Sequence, residues 1–209
     1  MTEFDGLFIT FEGIDGSGKS TQCQMLKTWY ESMGRTVHVL REPGGTSISE
    51  QIRDILLDKN NKEMNPIAEM LLYFASRNQL VSEKVLPALK RNDVVILDRY
   101  VDSTVAYQGY GRGLDLQHIK DVANVAVEGL SPALTIVVDT PLDTATNRQS
   151  GKDLDRLEME VSDFKERVRN GFLKLANEEP DRVFVVDGTL SKSKIFNAIV
   201  SIVKQNKLY

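Results

Sequence analysis

The chain has 209 residues, long enough for one domain with a substantial core, and its 41% apolar and 27% charged content is that of an ordinary globular protein. A net charge of −4 argues against a nucleic acid as the main partner, though not against a small phosphorylated ligand in a locally basic cleft. The single cysteine, Cys23, excludes an intrachain disulfide, no apolar run reaches membrane-spanning length, and the opening MTEFDGLFITFEG lacks the basic start of a secretory leader. The expected location is therefore the cytoplasm, with no membrane partner.

In chain order, Leu7–Phe11 reads as a buried strand and Gly18–Met33 as the helix after it. Thr36–Leu40 is a second strand, followed by helical patterns over Ile48–Leu57 and Pro66–Leu89. Val94–Leu97 is a third strand and Leu116–Val127 another helix. Leu134–Val138 is a fourth strand, after which Pro141 is a good first-turn residue for a further helix. The polar, aperiodic stretch 147–156, NRQSGKDLDR, predicts an exposed mobile loop between helices. Val183–Val186 is a fifth strand, and Ser191 is placed to cap a last helix over Lys192–Gln205. Several strands are continuously apolar, as in a parallel sheet covered on both faces, and strand alternates with helix. The fold class is α/β, a single domain over residues 1–209.

The segment between the first strand and first helix, Gly13-Ile-Asp-Gly-Ser-Gly18-Lys19-Ser20, fits G-x-x-x-x-G-K-[ST] in the strand–helix context the motif requires. Gly13, Asp15, Gly16, Ser17, Gly18, Lys19, Ser20 and Thr21 are the candidate ATP-binding residues. Inward backbone N–H groups and the helix N-terminus suit the α- and β-phosphates, Lys19 the β- and γ-phosphates, and the Ser20 hydroxyl a Mg²⁺ ion. Asp98, ending the third strand, is the candidate second metal residue, and Arg99 follows it where α/β sheets bind ligands. Asp139, ending the fourth strand, is the alternative to Asp98, less favoured because no arginine follows it. Asn61-Lys62-Glu63-Met64 lacks the aspartate of a guanine-reading N-K-x-D segment, which argues against a switch GTPase.

FEGIDGSGKSTQ (11–22), REPGGT (41–46), SRNQ (76–79), DRYVDSTVAYQGYGRG (98–113) and DLDRLE (153–158) together resemble the thymidylate kinase family over nearly the whole chain. The resemblance implies a P-loop NTPase-type three-layer fold, a five-stranded parallel sheet flanked by helices with a mobile lid at about 147–156. It implies transfer of the γ-phosphoryl of ATP, with Mg²⁺, to dTMP, in a protein that is typically a homodimer. Arg53 and Arg99 fall at the family's acceptor-phosphate arginines, although Arg53 could also be a solvated helix residue. Tyr73, where the family usually has Phe, falls at the base-stacking position, and Arg77, Thr104 and Gln108 at base contacts. Tyr107 falls where a ribose 2′-hydroxyl is excluded, and Asp15 where the deoxyribose 3′-hydroxyl is met. The slot where some members carry a P-loop arginine is Gly16, so the resemblance is to bacterial-type members whose catalytic cations come from the lid. Arg148, Lys152 and Arg156 are those candidates, with Arg148 and Arg156 expected near ATP. Glu12, Glu42, Cys23, His38 and His118 are read as orienting or structural residues. Two other readings stand beside this one: a kinase for another pyrimidine monophosphate such as dUMP, and a P-loop switch or regulatory ATPase without an acceptor.

Overall fold

Residues 5–151 and 153–209 are described by the computed structural model. Five strands form one parallel sheet: β1 (Leu7–Glu12), β2 (Val37–Arg41), β3 (Val94–Asp98), β4 (Leu134–Asp139) and β5 (Val183–Asp187), in the order β2-β3-β1-β4-β5. Nine α-helices surround it among the described residues: α1 (Lys19–Ser32), α2 (Ser47–Leu57), α3 (Pro66–Leu80), α4 (Leu86–Lys90), α5 (Val101–Thr104), α6 (Leu116–Ala126), α7 (Leu142–Gln149), α8 (Ser162–Glu178) and α9 (Lys192–Gln205). No described helix is long and apolar enough to cross a membrane.

The three layers follow from strand periodicity. Along β1, Leu7, Ile9 and Phe11 pack with Cys23, Leu26 and Tyr30 of α1 and Ile195, Ile199 and Val203 of α9. Phe8 points the other way, into a second cluster with Phe74 and Leu80 of α3, Leu89 of α4 and Ile119 of α6. Both faces of β1 are buried, which explains why its residues are apolar in succession rather than alternately. Cys23 is a packing residue of the first layer. Four helices start where the local chemistry supplies an acceptor: Thr46 caps α2, Asn65 before Pro66 caps α3, Asp115 caps α6 and Ser191 caps α9.

Two segments depart from the expected elements. The helix expected over Pro66–Leu89 is not uniform: Val81–Val85 widens into a π-helical turn before α4. Pro87 has no N–H to give to the carbonyl four residues back, so the register loosens there. The loop expected at 147–156 begins inside α7, which runs to Gln149, and Pro141 sits one residue before that helix. Beyond it, Asp155 accepts from the N–H groups of Leu157 and Glu158, both at 2.9 Å, and folds the segment into a tight turn. Lys152 lies outside the described residues.

A second π-helical stretch, Val105–Gly111, continues α5 and packs closely on α8. A Cβ at Gly111 would come within 2.7 Å of the Phe164 ring, so the absence of a side chain there sets how near α8 can lie.

Candidate active site

The site lies at the carboxyl ends of β1, β2 and β3. The P-loop leaves β1, and Gly13, Gly16 and Gly18 all take positive φ, which lets the loop curl before α1. Lys19 is 6% exposed and donates through Nζ to the carbonyls of Gly13 at 2.9 Å and Ile14 at 3.0 Å. Burial and then the Arg99 charge pull its ammonium below the ordinary lysine value, while Asp98, Asp15 and Glu12 oppose them. Ser20 Oγ donates to Asp98 Oδ2 at 2.7 Å, so the two candidate metal residues meet directly. The alternative acid, Asp139, is instead engaged by Arg169 of α8 through two bonds of 2.6 and 2.8 Å.

Arg99 has φ +74°, a left-handed conformation that costs a non-glycine residue on the order of 1 kcal/mol or more. Its surroundings hold it there. The Arg99 N–H donates to Phe11 O at 2.9 Å, and Glu12 Oε1 accepts the next N–H, from Tyr100, at 2.7 Å. The guanidinium donates to Asp15 Oδ1 at 2.7 Å, Tyr107 Oη at 3.2 Å and Ser103 Oγ at 3.1 Å. Tyr107 Oη in turn donates to Asp15 Oδ2 at 3.1 Å. Burial alone would raise the Asp15 carboxyl, but Arg99 and Lys19 drive it well below the usual carboxylate range. Glu12 goes the other way: burial and then the nearby Asp102 push its carboxyl up to about 8. That supports an orienting part for Glu12.

Two clefts open on this arrangement. One, of about 630 Å³, is lined by Asp15 to Gln22, Arg148, Leu190 and Lys192, and reaches Arg53, Asp98 and Arg99. The other, of about 70 Å³, is lined by Tyr73, Thr104, Tyr107, Gln108 and Asp155. Asp15, Glu42, Arg53 and Arg99 line both. Arg53 donates through Nη1 to Pro43 O at 2.8 Å, which turns it inward from α2 rather than out to solvent.

Arg77 does not line the smaller cleft. It is 1% exposed behind the wall, donating to Glu42 Oε2 at 2.6 Å, Thr104 Oγ1 at 3.0 Å and Tyr100 O at 2.9 Å. Thr104, which does line the cleft, is thereby positioned by it. Phe74 is core, with the Arg77 guanidinium 5.0 Å from its ring centroid. Burial pushes Glu42 up to about 7 despite Arg77, and its Oε1 has no protein partner among the described residues.

The lid candidates separate. Arg148 lies over the P-loop, donating to Ser17 O at 3.2 Å and Gly188 O at 2.9 Å. Arg156, expected near ATP, is turned away from the P-loop. It is buried against Glu69 at 2.6 Å and donates through Nε to Leu56 O at 2.9 Å. The cause is a buried acid: Glu69 on α3 needs cationic partners, and Arg156 is one of them. His38 is bonded to Asp93 at 2.9 Å, outside the site.

Sequence reasoning missed Glu69, Arg112 and Ser103. Glu69 had one usable signal, since it precedes Tyr73 and Arg77 by four and eight residues and so shares their helix face.

Comparison with known proteins agrees with this geometry. The family described as "Thymidylate kinase" matches residues 11–199. The thymidylate kinase of Thermoanaerobacter sp. (strain X514) is 47% identical over 200 residues, covering 96% of this chain and 98% of that protein. That of Kosmotoga olearia is 46% identical, covering 93% of each. The crystal structure of thymidylate kinase from Ehrlichia chaffeensis superposes with a TM-score of 0.77 at 30% identity, covering 95% of this chain and 98% of that one.

Proposed function

The chain belongs to the thymidylate kinase family, and on that premise we propose how its residues divide the work of phosphorylating dTMP. It is a nucleoside monophosphate kinase, acting in dTTP synthesis. The observation that carries the residue assignments is the pair of clefts joined through Asp15, Glu42, Arg53 and Arg99. Two phosphate-bearing ligands placed in them would meet at two arginines.

ATP occupies the larger cleft, its phosphates cradled by Gly13 to Thr21, with Lys19 toward the β- and γ-phosphates. Mg²⁺ accompanies it. The Ser20 and Asp98 oxygens 2.7 Å apart, with Glu42 and its unpartnered Oε1 on the same cleft, are the hard-oxygen set that Mg²⁺ takes together with retained waters. When bound, the ion neutralises charge on the β- and γ-phosphates. dTMP occupies the smaller cleft, with its phosphate between Arg53 and Arg99, its sugar beside Asp15 and Tyr107, and its base between Tyr73, Thr104 and Gln108. The acceptor phosphate oxygen is already ionised at neutral pH, so positioning and charge stabilisation are what the protein must supply. Arg148 supplies charge at the donor side. Arg156 serves the lid by anchoring its far end, and closure of the lid excludes water.

The test is ATP-dependent turnover across a panel of nucleoside monophosphates, with Mg²⁺ and with chelator. Preference for dTMP, lost on chelation, is expected. Preference for another monophosphate would overturn the base-cleft assignment, and ATP hydrolysis without an acceptor would overturn the two-cleft reading.

We also propose a homodimer through α2 and α3. Ile48, Ile55, Ile67 and Leu71 are all about half exposed on these two packed helices, apolar side chains that a second copy of the chain would cover. Light scattering should give about twice 23.5 kDa for the wild type and a monomer for Ile67→Glu/Leu71→Glu. A monomeric wild type would end this assignment.

A further inference from the structure

We propose that Glu69 is a positioning residue for base selection. Its carboxylate holds the Gln108 amide with the carbonyl oxygen toward the acceptor cleft, so the cleft selects a pyrimidine with a ring N–H over one with an unprotonated ring nitrogen. This rests on the assignment of the smaller cleft to the acceptor base.

Gln108 Nε2 donates to Glu69 Oε1 at 2.8 Å, and both residues are 1% exposed. A side-chain amide has two interchangeable faces, one donating and one accepting. An ionised carboxylate only accepts, so it admits one of the two orientations. The NH₂ group goes to Glu69, and the oxygen is left for the cleft that Gln108 lines. An oxygen there accepts from the ring N–H of thymine or uracil. Against cytosine it faces an unprotonated nitrogen, acceptor against acceptor.

Glu69 is ionised because of its neighbours. Burial would raise its carboxyl, but Arg112, Gln108 and Arg156 together hold it below the ordinary value. Arg112 reaches it through Nε and Nη2, each at 3.2 Å, and Arg156 at 2.6 Å. Arg112 is shared with Glu160 at 2.5 Å, so the group contains two acids and two arginines. The arginines alone could be satisfied by an acid reaching neither Gln108 nor the cleft. The bond to Gln108 is what ties the group to the base.

The experiment compares kcat/KM for dTMP and deoxycytidine monophosphate in the wild type, Glu69→Gln and Glu69→Asp. Glutamine at 69 can present either face, and aspartate keeps the charge for the arginines while drawing it back from Gln108. The dTMP preference should fall by about tenfold or more in whichever variant folds, mostly through KM for the base. A purely structural role would lower both substrates together, and an unchanged ratio with reduced activity overturns the proposal. So does an unchanged ratio in Glu69→Asp if Glu69→Gln does not fold. A wild type inactive on dTMP would instead overturn the acceptor-cleft assignment beneath it, which the wild-type arm reads separately.

Discussion

Lys19→Ala is expected to lower kcat by about 1,000-fold or more, because a buried cation aimed at developing charge makes one of the greatest contributions to phosphoryl transfer. The side chain is almost wholly enclosed, and its ammonium is bonded to the carbonyls of Gly13 and Ile14. Those carbonyls belong to the loop that would cradle the phosphates, so the ammonium is already at the mouth of the donor cleft. The cost to the fold should be modest. Lys19 sits at the first position of α1, and the sheet and both core layers are built from other residues. Circular dichroism should be unchanged and thermal melting only slightly lower, while turnover collapses. Near-normal turnover would remove the P-loop assignment.

The second large effect is at Arg99. Arg99→Gly is expected to lower kcat/KM for dTMP by about 1,000-fold, since it removes one of the two guanidiniums that line both clefts. The backbone consequence points the other way. Glycine accepts φ +74° without the penalty arginine bears, and this roughly offsets its greater freedom in the unfolded chain. The variant should therefore melt close to the wild type while being nearly inactive, whereas Arg99→Met should be inactive and less stable. Comparable activity in Arg99→Gly and the wild type would show that the acceptor is not held here. A large loss of stability in Arg99→Gly would show that the Asp15–Arg99–Tyr107 contacts, rather than strain, dominate the local energetics.

The parts of this site legible in the sequence are those written locally. Gly13 to Ser20 forms a contiguous motif after a strand, and Asp98-Arg99 stands at a strand end, so each declares its position without tertiary information. All five strands appear at the expected places within a residue or so at either end: the central β1, β3 and β4 are buried along nearly their whole length, and the partly buried edge strands β2 and β5 still carry β-branched runs. Long-range pairing is what stays hidden. A polar stretch presents Arg156 as a cation for ATP, yet its partners, Glu69 and the Leu56 carbonyl, come from α3 and α2, far back in the chain. Glu69 itself is unremarkable as one acid on a helix, since most such acids face water. Arg77 is legible as a site residue but not as one behind the wall, because that depends on Glu42 and Tyr100 converging on it. The helical start of 147–156 is masked by its polar composition, which on an exposed helix says little about conformation.

The close approach of α7 to the P-loop limits which residues the loop can carry. A Cβ placed on Gly16 would stand 2.4 Å from the Ala145 carbonyl oxygen and close to two further backbone atoms, and φ there is +79°. Any side chain at residue 16, an arginine included, is thus incompatible with α7 in its present seat, and with Arg148 where α7 now holds it. In this chain the loop and the lid are therefore coupled sterically: a side chain at residue 16 requires the helix to withdraw before, or together with, the substitution, and Arg148 moves with it.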